Sequence, residues 1–262
     1  MAPSNNDSAF GSLVSTMQRL RDPQSGCPWD LAQTHLSLRD ALLEETYETL
    51  EALESQETSA LVEELGDLLL QIVFHAQIGS DEGKFGIGEV IEFLIAKLVR
   101  RHPHVFGSSD AGTPDEVVGQ WERVKAAERK AKGEESRSML DGVSRAMPAL
   151  AYAHAVLGRA RRAGFDWDDP ARIFDKVAEE VGEVRNATDS ESREAELGDL
   201  LLALVGAANN LQIDAESALR GANQRFANRF QYVERQIQSQ GSTLAEAPES
   251  LKMELWEEAK KN

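Results

Sequence analysis

Pairs of acids three residues apart recur along this chain: Glu45 with Glu48, Glu64 with Asp67, Glu180 with Glu183, and Glu196 with Asp199. Each pair lies in a stretch of helical periodicity, where residues i and i+3 share a face. Two such helices packed antiparallel would present four carboxylates at one spot, beside an apolar stripe that partly desolvates them. Carboxylates at that density repel one another unless a cation lies between them. Hard oxygen ligands in that number suit Mg²⁺, with Mn²⁺ as a substitute, and leave coordination positions for water and phosphate oxygens. A lone ExxE on a helix is ordinarily a solvated face. Two successive helices of this kind, present twice in one chain, are not covered by that explanation.

The elements that carry the acids are themselves duplicated. The heptapeptide ELGDLLL stands at 64–70 and again at 196–202. Its glycine costs a helix roughly 0.5–1 kcal/mol relative to alanine, which points to close approach of a neighbour: the partner helix, a base or a phosphate. In each half an acidic helix, a polar break and the ELGDLLL helix follow in order. Each copy is preceded by a Trp-Asp pair (Trp29-Asp30, Trp167-Asp168) and followed by a helix with spaced basic residues. The spacing of Ile173, Val177, Val181 and Val184, and of Leu65, Leu68, Leu69, Ile72 and Ala76, predicts one apolar stripe per helix. Alternating strand patterns are missing. The expected fold is all-α, with two related helical-bundle domains at 8–108 and 146–262, each packing an ExxE helix on an ExxD helix. Between them, 109–145 reads as a linker with an exposed helix from Pro114 to about Lys132.

Composition narrows the partners. A formal net charge of −17 argues against nucleic acid and anionic membranes. The single cysteine, Cys27, excludes an internal disulfide or a multi-cysteine zinc site and reads as a small buried filler. No apolar run reaches membrane-spanning length, and the polar N-terminus lacks a signal-peptide core. A cytoplasmic protein is expected. Ferritin-like di-metal chemistry fails because no histidine has glutamate three residues before it. GSDEGKF (79–85) has the wrong glycine spacing for a P-loop.

EETYE (44–48) with EELGD (63–67), and EEVGE (179–183) with AELGD (195–199), resemble the ExxE…ExxD signature of the all-α nucleoside triphosphate pyrophosphohydrolases. GCPWD, QTHLSL, FHA, KLVRRHPHVF, GFDWDD, NQRFANRF and LWEEAKK, in that order, are similar to the tandem-domain MazG proteins. The resemblance implies Mg²⁺-dependent hydrolysis of a nucleoside triphosphate between the α and β phosphorus, in the service of nucleotide-pool control. It implies Glu180, Glu183, Glu196 and Asp199 as metal and catalytic residues of the second domain, with Glu45, Glu48, Glu64 and Asp67 as metal ligands of the first. The general base and the number of metals per site stay open.

The same resemblance makes Lys176, Asn223, Arg225, Arg229, Trp256 and Lys260 nucleotide contacts, with Arg225 standing where lysine is common. Lys97 and Arg101 hold the corresponding basic positions of the first domain, but Ala41 replaces Lys176 there, so catalysis is expected in the second. Plainer roles compete at several positions: surface ion pairs for Arg225 and Arg229, a hydrophobic anchor for Trp256, and a packed histidine for His75. Each small domain would bury its apolar flank poorly alone, and this, with the resemblance, leads to the expectation of a homodimer. The competing function is a non-catalytic dimeric regulator that binds metal or nucleotide.

Overall fold

The computed structural model describes residues 5–131, 133, 138–165 and 172–261. The Trp167-Asp168 pair lies outside them. Every regular element among the described residues is an α-helix. The chain divides into two compact units, residues 1–134 and 135–262.

The first unit contains α1 (Asn5–Leu20), α2 (Pro28–Ala32), α3 (Arg39–Ser55), α4 (Thr58–Asp81), α5 (Ile87–Arg101), α6 (Pro103–Phe106) and α7 (Pro114–Ala131). Its core joins Met17 of α1, Leu38, and Val73, Phe74 and Ile78 of α4. Gln56, in the left-handed region at φ 60°, ends α3 and lets α4 fold back along it. The α4–α5 turn depends on glycine. A Cβ on Gly79 would stand 2.7 Å from the Phe85 ring, and Gly83 has φ +66°.

The expected stripe of α4 is buried only at its C-terminal end: Ala76 is buried and Leu68 half-buried. Leu65, Leu69 and Ile72 are exposed, whereas Gln71, Val73, Phe74, Ala76 and Ile78 are buried. Periodicity located an apolar stripe correctly but not what covers it. The exposed stripe continues in character on α5, where Phe93 is 70% exposed and Ile95 54%.

The helix expected to be exposed in a linker is instead docked. Glu128 of α7 binds Arg100 Nε at 2.7 Å and Arg101 Nη2 at 2.8 Å. Hydrogen bonds from Arg101, then Arg100, hold the Glu128 carboxyl at about 2 against burial that pushes it up. His104 Nδ1 donates to Gln120 Oε1 at 3.0 Å, Gln120 Nε2 donates to Ser109 Oγ, and Trp121 meets the His102 ring edge-on at 5.2 Å. These partners lie 11 to 28 residues apart, beyond what helical periodicity reports.

The second unit contains α8 (Ala149–Arg162), α9 (Arg172–Asn186), α10 (Ser190–Asn210), α11 (Ala215–Ser239) and α12 (Glu249–Ala259). Asp189 caps α10 by accepting from Ser192 N at 2.9 Å, and Asp214 caps α11 in the same way. Helices α9 and α10, separated only by residues 187–189, pack along each other. Ile173, Val205 and Ala207 are buried between elements, and Val233, Ile237, Ala247 and Leu255 bind α12 to α11. In the predicted stripe of α9, Ile173 is buried but Val181 is exposed.

Candidate metal and nucleotide site

In each unit three carboxylates meet where an ExxE helix crosses an ExxD helix. Oxygens of Glu45 and Glu48 from α3 and Glu64 from α4 lie within 4.8 Å of one another. Glu180 and Glu183 from α9 meet Glu196 from α10 equally closely. The fourth acid of each expected set stands outside these triads. Half-buried Asp67 is still near enough to raise Glu45 and Glu64, whereas Asp199 is exposed.

The two triads differ in how their charge is balanced. In the first, burial pushes the Glu45 carboxyl up, and Asp67, Glu48 and Glu64 push it further. Burial, then Glu48, Glu63 and Asp67, do the same to Glu64. Buried Thr49 donates to Glu45 O at 2.7 Å and reaches Glu64 O at 3.4 Å, fixing α3 against α4 at the level of the acids. In the second triad Glu180 is only 4% exposed. Its Oε1 pairs with Lys176 Nζ at 2.7 Å, and its buried Oε2 has no hydrogen-bond partner. Lys176 holds the Glu180 carboxyl below its ordinary range, while the adjoining Glu180 pushes Glu183 up. Three converging carboxylates, one of them buried with an oxygen unsatisfied, fit a divalent cation such as Mg²⁺.

Of the basic residues expected at the nucleotide, Lys176 meets the second triad, and Arg229 and Lys260 both act on Glu257. Lys260 Nζ pairs with Glu257 Oε1 at 2.6 Å. Trp256 packs on the α11–α12 core, 5.3 Å from the Phe226 ring, so its anchoring role is visible directly. Asn223 and Arg225 are exposed on α11, and Arg225 lies one helical turn before half-buried Arg229. In the first unit Lys97 Nζ stands 5.9 Å from the Phe93 ring centre. Arg101, expected at a nucleotide, is engaged by Glu128.

Sequence reasoning missed two features. Arg21, buried, ties α1 to Asp81 at the end of α4, and no local pattern links residues so distant. His35 and His75 face each other with their Nδ1 atoms 2.9 Å apart, and Phe85 stacks on His35. Burial, then His35, push His75 down. Both histidines lie within the quoted motifs QTHLSL and FHA, so their pairing had a signal in the sequence.

The ELGDLLL glycine does not admit the partner helix. A Cβ on Gly66 or Gly198 would meet nothing within 4 Å. The expected close neighbour is therefore absent among the described residues, which leaves the base or phosphate as the reading that substitution tests. Gly198→Ala is expected to raise thermal stability by about 0.5–1 kcal/mol through helix propensity. It is also expected to slow turnover on the order of tenfold or more, because the added methyl displaces whatever approaches Asp199's turn of helix. Calorimetry and steady-state kinetics on the same preparation check both. Unchanged turnover would remove the glycine from the site.

The MazG nucleotide pyrophosphohydrolase domain profile matches residues 33–106 and 168–233. A nucleoside triphosphate pyrophosphohydrolase/pyrophosphatase MazG from Thermotoga maritima is 44% identical over 251 residues, covering 96% of this chain and 95% of that protein. A nucleoside triphosphate pyrophosphohydrolase from Escherichia coli K12 is 41% identical over 254 residues, 95% of this chain and 96% of that protein. One from Mycobacterium tuberculosis is 37% identical over 237 residues, 89% of this chain and 61% of that protein.

Proposed function

This chain belongs to the MazG nucleotide pyrophosphohydrolase family, and from that premise we propose that it hydrolyses nucleoside triphosphates to monophosphate and pyrophosphate, with Mg²⁺, in its second unit. The observation that carries the assignment to that unit is the buried Glu180, with one oxygen unsatisfied, beside a lysine that the first unit lacks. Glu180, Glu183 and Glu196, with Asp199 beside them, would hold the cation. When bound, Mg²⁺ or Mn²⁺ supplies Lewis acidity toward phosphate oxygens and water. Lys176 supplies a flexible positive charge to a phosphate oxygen. Arg225, Arg229 and Lys260 are the remaining phosphate donors we assign, Asn223 a polar contact, and Trp256 an apolar wall for the base that also fastens α12.

In the first unit Glu45, Glu48, Glu64 and Asp67 supply the same kind of ligand set, with Lys97 as the nearby cation we assign to nucleotide. Ala41 stands in place of lysine, and Arg101 is held by Glu128, which supports a secondary role for this unit. Domain limits of 8–108 and 146–262 remain our assignment for the two MazG-like modules. Exposed Val62, Leu65, Leu69 and Ile72 on α4, with Phe93 and Ile95 on α5, support a homodimer. No helix among the described residues is long and apolar enough to cross a membrane. We assign the enzyme to the cytoplasm, with broad base preference and a role in controlling nucleotide pools, and the net charge of −17 supports a protein that does not bind nucleic acid.

Anion-exchange analysis of the products from each common triphosphate with purified protein and Mg²⁺ tests the reading. Monophosphate with pyrophosphate, abolished by EDTA, is expected. Diphosphate with phosphate would place the cleavage elsewhere. Metal binding without turnover would leave a regulatory protein.

A further inference from the structure

Three carboxylates within 4.8 Å must be relieved by a proton or a cation. The second unit relieves them with its own side chain. Lys176 stands one helical turn before Glu180 and places Nζ 2.7 Å from Oε1 of that nearly inaccessible carboxylate, with a second contact of 2.9 Å to exposed Glu179. Burial makes the pair with Glu180 the consequential one, since solvent screens the contact with Glu179. In the first unit the residue one turn before Glu45 is Ala41, and the charges that act on Glu45 are all acidic: Asp67, Glu48, Glu64 and Glu44.

A divalent ion at Glu180 and an ammonium on the same carboxylate repel each other at close range in a poorly screened place. One must leave for the other to enter. Lysine can leave without moving the backbone, because its charge rides on four methylenes and the side chain is one-third exposed. Its new position needs negative charge nearby, which Glu179 offers weakly and a triphosphate offers strongly.

We propose that Lys176 is an exchangeable counter-ion. It neutralises Glu180 in the nucleotide-free protein and transfers to a phosphate oxygen as the divalent ion enters, so that metal and nucleotide promote each other's binding in the second unit. This rests on the metal-dependent reading of that site given above. The first unit lacks the lysine and takes a divalent ion without this coupling. Because linkage is reciprocal, the second unit loads with the metal–nucleotide complex in preference to free metal. Lys176 is thus a positioning residue whose effect is visible before any chemistry.

Mn²⁺ binding to the full chain, followed by electron paramagnetic resonance, tests this. Glu45→Gln with Glu64→Gln silences the first triad, and an α,β-methylene triphosphate serves as the uncleaved nucleotide. Lys176→Met is expected to tighten Mn²⁺ binding without nucleotide by about tenfold, and to remove most of the tightening that nucleotide confers on the unaltered site. Arg185→Met, a charge removed from the exposed face of the same helix, is expected to change binding less than about twofold. Ala41→Lys, in a chain carrying Glu180→Gln and Glu183→Gln, should weaken Mn²⁺ at the first triad. Equal or weaker Mn²⁺ binding in Lys176→Met, or equal tightening by Arg185→Met, overturns the exchange while leaving the metal site intact. Absence of Mn²⁺ from the second triad with and without Lys176 overturns the metal-dependent reading itself, and the exchange with it.

Discussion

Glu180→Gln is expected to reduce pyrophosphate release by about three orders of magnitude, whereas Glu45→Gln retains at least about half of it. A thousandfold loss corresponds to about 4 kcal/mol of lost transition-state stabilisation. That is a reasonable share for the one proposed ligand of the second triad that water scarcely reaches. Glu180 is 4% exposed, so its charge acts on a bound cation with little screening, unlike exposed Glu183. Glutamine keeps the shape and leaves Lys176 its contact with Glu179. The folded protein should lose some stability at neutral pH, since Lys176 favours the ionised Glu180 in the fold, but it should stay folded. Product chromatography paired with a thermal melt separates a chemical loss from an unfolding one. If Glu180→Gln kept its activity and Glu45→Gln lost it, catalysis would belong to the first unit.

The acids were legible in the sequence because their geometry is local. A three-residue spacing puts two carboxylates on one helix face whatever surrounds them, and a short connection makes the next helix its neighbour. The helical class was legible for the same reason. What periodicity does not carry is the identity of the covering surface. Leu65, Leu69 and Ile72 repeat like core residues yet stand exposed, while the adjacent face with Val73, Phe74 and Ile78 meets α1. The ELGDLLL glycine misled in a related way. Its type showed that the backbone is kept bare, but the space beside Gly66 and Gly198 is open in each unit. Asp199, grouped with its triad by spacing and by the resemblance, stands exposed beside it.

The first unit shows how a repeated motif diverges through distant contacts. Its basic helix carries Lys97 and Arg101 in the same register as Arg225 and Arg229, and on sequence the two helices are equivalent. Glu128, 27 residues further on, binds Arg101 and Arg100 together. The corresponding cations of the second unit are not read the same way: Arg225 is exposed on α11. A residue's type and spacing thus identify its repertoire, and a long-range partner decides which part of it is used.

Arg21→Met is expected to destabilise the first unit by about 1.5–3 kcal/mol, the scale of lost charged hydrogen bonds, because Asp81 is 32% exposed and regains water. That is a large share of the roughly 5–15 kcal/mol that holds a typical domain. Arg21 is 8% exposed. Its Nε binds Asp81 Oδ2 at 2.6 Å, its Nη1 donates to the Asp30 carbonyl and, at 3.3 Å, to the Gln33 carbonyl, and its guanidinium lies 5.6 Å from the Phe74 ring centre. One side chain therefore joins the end of α1, the middle and C-terminal cap of α2, and the end of α4. Methionine fills much of the space but leaves Asp81 and two carbonyls short of a donor. Gln77 Nε2, 2.7 Å from Asp81 Oδ1, offsets part of that loss. Lysine restores the charge without the planar fork, so Arg21→Lys should recover only part of the stability. Urea unfolding read by hydrogen exchange in α1 and α4 measures the effect within residues 1–134, where a whole-chain melt would blend two transitions. Asp81→Asn added to Arg21→Met should cost less than the sum of the two single changes, because the carboxylate then has no charge to strand. A loss below about 1 kcal/mol, or strict additivity, would reduce the Arg21–Asp81 pair to the standing of a surface ion pair and leave the packing of Phe74 and Met17 as what holds α1 on α4.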